Sequence, residues 1–132
     1  METIEAFLKN INVFIVDDSE YTALTLKRSL INVYCNVLGF ATTADEALKK
    51  IEELKNEIHI VTLDMFLGQI DGLTLIPKIL QINPALKVIM ISSNHDERLI
   101  IKSIQMGAKH YIIKPFNIVD IKNVVFKVAR MP

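Results

Sequence analysis

Five side chains able to carry phosphoryl chemistry each follow a short apolar segment of this sequence: Asp17, Asp18, Asp64, Ser92 and Lys114. Three carboxylates brought within a few ångströms repel one another strongly, so they need a compensating cation. Carboxylate and water oxygens suit Mg²⁺, which often shares its coordination sphere with a phosphate. A carboxylate flanked by such cations can attack phosphorus. If these groups converge, the pattern predicts a magnesium site with an aspartyl phosphate held by the hydroxyl and the amine.

The apolar segments that precede these residues predict the strands of a parallel sheet. They are rich in β-branched residues and do not alternate with polar ones, as expected for strands covered on both faces. We assign them to residues 13–16, 34–38, 58–63, 88–91 and 111–113. The segments between them have helical spacing, which predicts an α/β fold with helices on both faces of the sheet. Ligands bind at the carboxyl edge of such a sheet, where four of the five strands deliver the side chains named above.

Capping patterns mark where some of the helices begin. Thr43 followed by Glu46 forms a capping box for a helix over residues 43–55. Asn117 with Asp120 predicts the start of the last helix in the same way. Residues 1–10 precede the first strand, and we expect one helical turn there.

Composition limits the classes of protein to which the chain can belong. It has 132 residues, enough for one domain, with 51% hydrophobic and 23% charged residues. Fifteen Lys and Arg residues balance fifteen Asp and Glu residues, which argues against direct nucleic-acid binding. One cysteine, Cys35, excludes an internal disulfide and a Cys-rich metal site. No apolar run approaches the ~20 residues of a membrane span, so we expect a cytoplasmic protein that does not bind membranes.

Taken one at a time, each of these polar residues also fits an ordinary helix cap or turn. Their ordered combination at four strand ends favours the functional interpretation. The combination resembles the receiver domain of two-component response regulators, of the chemotaxis-regulator type. The resemblance covers residues 11–131, leaves residues 1–10 as an N-terminal extension, and rests on four segments: residues 13–19, residues 62–65 with 71–73, residues 88–93 and residues 107–116. It implies a doubly wound, flavodoxin-like sheet of five strands in the order 2-1-3-4-5.

The resemblance also implies how a phosphoryl group and Mg²⁺ would be held. Asp64 matches the phosphoacceptor, which takes the group from a phosphohistidine of a sensor histidine kinase or phosphotransfer protein. Asp64 also belongs to the implied metal-ligand set. Within it, Asp18 matches a direct Mg²⁺ ligand, Asp17 a ligand acting mainly through water, and the backbone carbonyl of Phe66 completes the protein's share of the metal sphere.

Three further matches concern what happens after phosphorylation. Ser92 matches the switch hydroxyl, Lys114 the salt-bridge partner of the phosphate, and Tyr111 the aromatic switch. The readout surface in this family is the fourth helix, fifth strand and fifth helix, here about residues 95–106, 109–113 and 117–130. Phosphorylation would bias a pre-existing equilibrium of this surface toward binding an unknown downstream target, with a possible phosphorylation-linked dimer.

One departure from the family pattern lies in the loop after Asp64. The family usually has a Met-Pro pair there, whereas this chain has Leu67-Gly68, so the proline that stiffens the turn is absent. The switch hydroxyl is also Ser rather than the commoner Thr, which keeps the donor but loses a methyl group.

Two alternatives stay open beside a stand-alone regulator. The chain is either complete, as its initial Met suggests, or a receiver fragment of a longer regulator with a separate output domain. A haloacid-dehalogenase-like phosphohydrolase is less favoured, because that family needs Asp-x-Asp after the first strand and usually a cap domain. In the leading interpretation the chain is not an enzyme beyond catalysing its own aspartyl phosphorylation and dephosphorylation.

Overall fold

A parallel sheet organises residues 2–132, which the computed structural model describes. Its five long strands lie in the order β2-β1-β3-β6-β7, and β4 pairs with β5 in a separate two-stranded ribbon. The predicted strand order is therefore confirmed, with β6 and β7 as the fourth and fifth strands of the sheet. The strands are β1 (Asn12–Val16), β2 (Asn36–Ala41), β3 (Ile60–Leu63), β4 (Phe66–Leu67), β5 (Ile70–Asp71), β6 (Lys87–Ser92) and β7 (His110–Ile113).

Helices cover both faces of the sheet, as predicted. They are α1 (Ile4–Leu8), α2 (Glu20–Asn32), α3 (Ala44–Leu54), α4 (Leu75–Ile82), α5 (Glu97–Gln105) and α6 (Ile118–Ala129). The Thr43 side chain accepts a hydrogen bond from the Glu46 N–H at the start of α3, and Asn117 caps α6 through the Asp120 N–H. No helix within residues 2–132 is long and apolar enough to cross a membrane.

Alternate side chains of each central strand enter opposite halves of the core, because successive residues of a strand point to opposite faces. Phe14 and Val16 of β1 pack with the inner faces of α3 and α4. Val13 and Ile15 pack on the other side, with α2 and α6. The uninterrupted apolar run of β1 is thus explained by a sheet that both helical layers cover.

The second strand begins later than the sequence predicts. Tyr34 has a φ of 76° and its N–H donates to the Ile31 carbonyl, while the Cys35 N–H donates to the Leu30 carbonyl. Both residues therefore belong to the turn that ends α2, and β2 starts at Asn36. The strand instead runs on to Ala41, which pairs with Val16. The assignment of residues 34–38 was right for 36–38 and wrong for Tyr34 and Cys35, which close a helix rather than extend a strand.

A hairpin that the sequence reasoning missed follows the third strand. Leu67 of β4 pairs with Ile70 of β5 across the two-residue turn Gly68-Gln69. Gly68 has a φ of 63°, which makes it the first central residue of a type II′ turn, where glycine is favoured.

The hairpin is attached to the end of β3 at Gly72. The Gly72 N–H donates to the Met65 carbonyl, and a Cβ at this position would lie 2.2 Å from the Asp64 carbonyl oxygen. Only glycine permits so close an approach. The hairpin is consequently held in a fixed position beside Asp64.

The ends of the described chain meet at the amino edge of the sheet, on α6. Leu8 of α1 is fully buried, and the Phe7 ring meets the Phe126 ring edge to face at 5.5 Å. Glu5 forms an ion pair with Lys122. Residues 1–10 thus contain the expected helical turn, Ile4–Leu8, and that turn packs into the same core as the sheet.

Candidate functional site

Three carboxylates converge at the carboxyl edge of the sheet. Asp17 and Asp18 follow β1 directly, and Asp64 follows the neighbouring β3, so the sheet itself brings them together. One carboxylate oxygen from each lies within 4.8 Å of the others. Asp17 and Asp64 are buried, whereas Asp18 is exposed. The cluster is therefore closed toward the core and open toward solvent.

Lys114, which follows the edge strand β7, points into this acidic cluster. Its Nζ lies 2.8 Å from Asp17 Oδ2 and 3.3 Å from Asp64 Oδ2. Burial opposes charge on the amine, but its hydrogen bonds and charge interactions with the two carboxylates outweigh burial and raise the pKa of Lys114. Residue 114 thus lies beside residue 64, joined to it by an ion pair across the sheet.

The surroundings of the Asp64 carboxyl raise its pKa through opposing effects. Burial raises its pKa and the nearby Asp17 carboxylate raises it further, while the Lys114 amine acts in the opposite direction. The Phe66 N–H donates to Asp64 Oδ1 at 3.4 Å. Burial is the largest cause of the upward shift in pKa, and it outweighs the Lys114 charge and the hydrogen bonds that favour the carboxylate.

The Asp17-Asp18 pair does not serve as the cap of the helix that follows it. Ser19 is the N-cap of α2 and accepts from the Thr22 N–H. Asp17 Oδ1 accepts from the Ser19 N–H, which orients its other oxygen toward Lys114. Asp18 Oδ2 accepts from the Gly68 N–H at 3.2 Å. The ordinary helix-cap role is therefore filled by Ser19, and both carboxylates remain available to the site.

Ser92 and Tyr111 lie together on the β6–β7 side of the cluster. Ser92 is buried at the end of β6, and its Oγ accepts from the Asn94 N–H. The Tyr111 hydroxyl donates to the Asn94 carbonyl at 2.6 Å, so its half-buried ring is turned toward the loop after β6. Burial raises the pKa of Tyr111. The contact of Tyr111 with Asn94 was missed because it involves a backbone carbonyl, which leaves no sequence signal.

These residues border a shallow cleft of about 380 Å³ lined by Asp18, Asp64, Phe66, Ser92, Ser93 and Asn94. Phe66 lies at its rim, half exposed. The structure thus brings five predicted side chains, from Asp17, Asp18, Asp64, Ser92 and Lys114, to one edge, with Tyr111 beside them and Phe66 at the entrance.

The donor set fits a hard divalent cation. Three carboxylates carry more negative charge than the single amine of Lys114 balances, and the exposed Asp18 opens the cluster to solvent. Mg²⁺ is usually held by a few carboxylates and keeps coordination positions for water and phosphate. Asp17, Asp18 and Asp64 are the side chains that would hold it.

Comparison with known proteins agrees with this geometry. Residues 13–126 match the family described as "Response regulator receiver domain". The chain is 34% identical over 118 residues to the chemotaxis protein CheY of Thermotoga maritima, covering 89% of this chain and 97% of that protein. It is 31% identical to a protein-glutamate methylesterase/protein-glutamine glutaminase of Geobacter sulfurreducens over 82% of this chain, but covers only 29% of that protein.

A solved structure shows the same fold. A chain in the crystal structure of the CheX-CheY-BeF3-Mg²⁺ complex from Borrelia burgdorferi superimposes with a TM-score of 0.85 at 33% identity, covering 89% of this chain and 88% of that one. The family match spans most of the chain, from β1 into α6, including both halves of the acidic cluster. This chain therefore belongs to the response regulator receiver domain family and has the CheY-like fold.

Proposed function

We propose that this protein is a phosphorylation-operated signalling module that accepts a phosphoryl group on Asp64. The donor is a phosphohistidine of a sensor histidine kinase or of a phosphotransfer protein. The observation that carries this proposal is the position of the Lys114 amine, between the carboxylates of Asp17 and Asp64 and within 3.3 Å of both. Burying several charged groups beside one cleft lowers the stability of the fold, and this favours a functional explanation for keeping them there.

The transfer needs a nucleophilic oxygen and groups that neutralise the moving charge. A carboxylate oxygen of Asp64 attacks phosphorus, an O–P bond forms, the N–P bond breaks, and its electron pair returns to the imidazole of the donor. Lys114 and Ser92 then donate to the phosphoryl oxygens. Asp17, Asp18, Asp64 and the Phe66 backbone carbonyl would hold Mg²⁺, which would supply positive charge to offset that of the phosphoryl group. The Asp64 carboxylate thereby becomes an acyl phosphate, whose negative charge is balanced by the cations and hydrogen-bond donors at this edge of the sheet.

The switch in this proposal couples the phosphoryl group to a distant surface. Ser92 moves onto the phosphoryl oxygens, and Tyr111, beside it, turns with the loop that carries Asn94. The readout surface is formed by α5, β7 and α6, whose exposed apolar side chains would meet the unknown downstream target or a second copy in a phosphorylation-linked dimer. These side chains are Ile101, Ile104, Ile113, Ile118 and Val119.

Several broader features belong to the same proposal. The receiver domain spans residues 11–131, with residues 1–10 as an extension that includes α1. The protein catalyses only its own phosphorylation and dephosphorylation, acts in the cytoplasm, and binds neither nucleic acid nor membrane directly. The balanced charge and the CheY relatives support this interpretation.

The test is incubation with acetyl phosphate and Mg²⁺, followed by mass spectrometry of the intact protein. We expect one acid-labile phosphoryl adduct per chain, which requires Mg²⁺ and is lost in Asp64→Asn. The matched control is Asp45→Asn, which neutralises an exposed carboxylate on α3 and should keep the adduct.

Two outcomes would contradict the proposal. An adduct that survives in Asp64→Asn would place the phosphoryl group elsewhere. Release of many equivalents of phosphate per chain would indicate a hydrolase, as in the haloacid-dehalogenase-like alternative.

A further inference from the structure

The turn between β4 and β5 makes a hydrogen bond to the metal-site carboxylate that is otherwise the least restrained. Asp18 is the exposed member of the acidic cluster, whereas Asp17 and Asp64 are buried and contact Lys114. The Gly68 N–H donates to Asp18 Oδ2 at 3.2 Å, across 50 residues of sequence. The turn is thus the point at which the hairpin reaches the site.

Residue 68 must be able to adopt a left-handed conformation and must carry an N–H. Its φ of 63° is unfavourable for most residues and inaccessible to proline, whose ring fixes φ near −65°. Proline also lacks the N–H that Asp18 accepts. A proline at position 68 could therefore neither adopt this turn nor make the contact with Asp18.

The hairpin is fixed firmly enough for this contact to orient a side chain. Its far end is held at Gly72, where the backbone packs against the Asp64 and Met65 carbonyls. A Cβ on Gly68 would meet no atom within 4 Å, so packing does not explain a glycine there. What the position requires is the turn geometry, and that geometry directs the N–H toward Asp18.

We propose that Gly68 is a positioning residue that holds the Asp18 carboxylate at the metal site through its backbone N–H. The bond opposes the repulsion by Asp17 and Asp64 that would otherwise turn the exposed Asp18 side chain toward solvent. It occupies one carboxylate oxygen and leaves the other for the cation. This inference rests on the proposed Mg²⁺ site and adds a residue that tunes its affinity.

The deciding experiment measures Mg²⁺ affinity by calorimetry in proteins that differ by one backbone atom. Replacing the Leu67–Gly68 peptide bond with an ester removes the Gly68 N–H and keeps the turn. We expect Mg²⁺ binding to weaken about threefold to tenfold, the size of one net hydrogen bond. The matched control moves the ester to the Gly68–Gln69 bond. This control should stay within about twofold of the unmodified protein, a smaller change than one net hydrogen bond produces.

A spectroscopic readout separates this role from general stabilisation. The chain has four glycines, so their amide signals are easily assigned. Without metal, Asp18→Ala should shift the Gly68 amide proton upfield and leave that of Gly107 in place. Unfolding by urea in EDTA should show that both esters are folded, with the ester at Gly68 less stable by no more than the one hydrogen bond it loses.

Three results would overturn the inference. The first is that the ester at Gly68 binds Mg²⁺ as tightly as the unmodified protein. The second is that both esters weaken Mg²⁺ binding equally. The third is that the chemical shift of the Gly68 amide proton does not change in Asp18→Ala. If the unmodified protein binds no Mg²⁺ at all, the proposed function fails, and this inference fails with it. If the unmodified protein binds Mg²⁺ but one of the three results above is found, only the role of Gly68 is refuted.

Discussion

The two edges of the sheet treat charge in opposite ways. At the carboxyl edge, three carboxylates face a single amine, and the pKa of Asp64 is raised by burial and by Asp17. At the amino edge, polar groups are paired one with another: Lys87 Nζ donates to the Ala129 carbonyl at 3.0 Å, and His59 Nδ1 accepts from the Asn12 N–H at 2.9 Å. The carboxyl edge thus retains unbalanced charge, whereas hydrogen bonds at the amino edge connect distant segments of the chain.

This difference shows how the fold separates stability from chemistry. Parallel strands place every strand start at one edge and every strand end at the other. Unfavourable charge at the carboxyl edge can be tolerated because α1, α6 and the first residues of the strands stabilise the amino edge. Substitutions at the two edges should consequently have opposite effects on folding.

Leu8→Ala should produce the largest change. Leu8 is fully buried between α1 and the core, so its truncation leaves a cavity and should lower the free energy of unfolding by about 3 kcal/mol. Urea unfolding measures this, with Leu24→Ala on the exposed side of α2 as control. Mg²⁺ affinity should not change, and a loss of Mg²⁺ binding would break the separation between the edges.

Asp64→Asn should act in the opposite direction and stabilise the protein in EDTA. The raised pKa means that ionisation of Asp64 opposes folding; its contribution is most favourable below the ordinary pKa and is lost as pH rises through the raised one. We expect a gain on the order of 1 kcal/mol at pH 7, because burial of the charged carboxyl is the largest cause of the raised pKa. The gain should vanish near pH 3, and saturating Mg²⁺ should favour the unsubstituted protein instead.

Asp45→Asn is the control for loss of an exposed carboxylate; because Asp45 lies in the first turn of α3, where negative charge is favourable, this variant should lose at most about 1 kcal/mol and gain nothing. A destabilised Asp64→Asn variant in EDTA at neutral pH would mean that the ion pair with Lys114 outweighs the cost of burying the charged carboxyl, and the expected effect of ionising Asp64 would be wrong.

Thr62→Val tests a buried polar atom in the middle of β3, between the two edges. Among the buried side-chain oxygen and nitrogen atoms of the described residues, Thr62 Oγ1 is the one without a hydrogen-bond partner. A valine of the same shape removes this unsatisfied hydroxyl, so stability should rise by about 1 kcal/mol. Thermal unfolding of Thr62→Val and of Thr25→Val, whose hydroxyl donates to the Tyr21 carbonyl, makes the comparison. Loss of stability in Thr62→Val would show that the hydroxyl has a partner.

Cys35 should show the smallest effect, with none at neutral pH. Burial raises the pKa of this thiol to about 12. The unfolded thiol ionises at lower pH than the folded one, so stability falls as pH rises above about 9. Because the thiolate is the reactive form, iodoacetamide should label the folded protein far more slowly than the urea-unfolded protein at pH 9. Equal labelling rates would contradict a buried, inert thiol.

The elements and the site side chains could be predicted because each has a local cause. Apolar runs without alternation indicate buried parallel strands, and Thr43 and Asn117 carry the caps that start α3 and α6. Asp17, Asp18 and Asp64 follow strands that the fold places side by side. Nearness in space then follows from the order of the strands.

What escaped prediction depends on backbone groups or on distant pairs. Strands of two residues, such as Phe66–Leu67, are too short to show a period, and the Gly68 N–H leaves no pattern of side chains. The beginning of β2 was misplaced because Tyr34 and Cys35 are apolar in either role. The ion pair between Glu5 and Lys122 joins residues that lie 117 positions apart, a separation that no local rule connects.

The position of Tyr111 beside the site allows its intrinsic fluorescence to report on the site. The chain contains no tryptophan and three tyrosines; Tyr21 and Tyr34 are largely or half exposed, whereas the half-buried Tyr111 contacts Asn94. With both replaced by phenylalanine, ultraviolet emission would come from the ring beside Ser92 alone. Binding of ions or phosphoryl donors could then be followed in real time without an added dye.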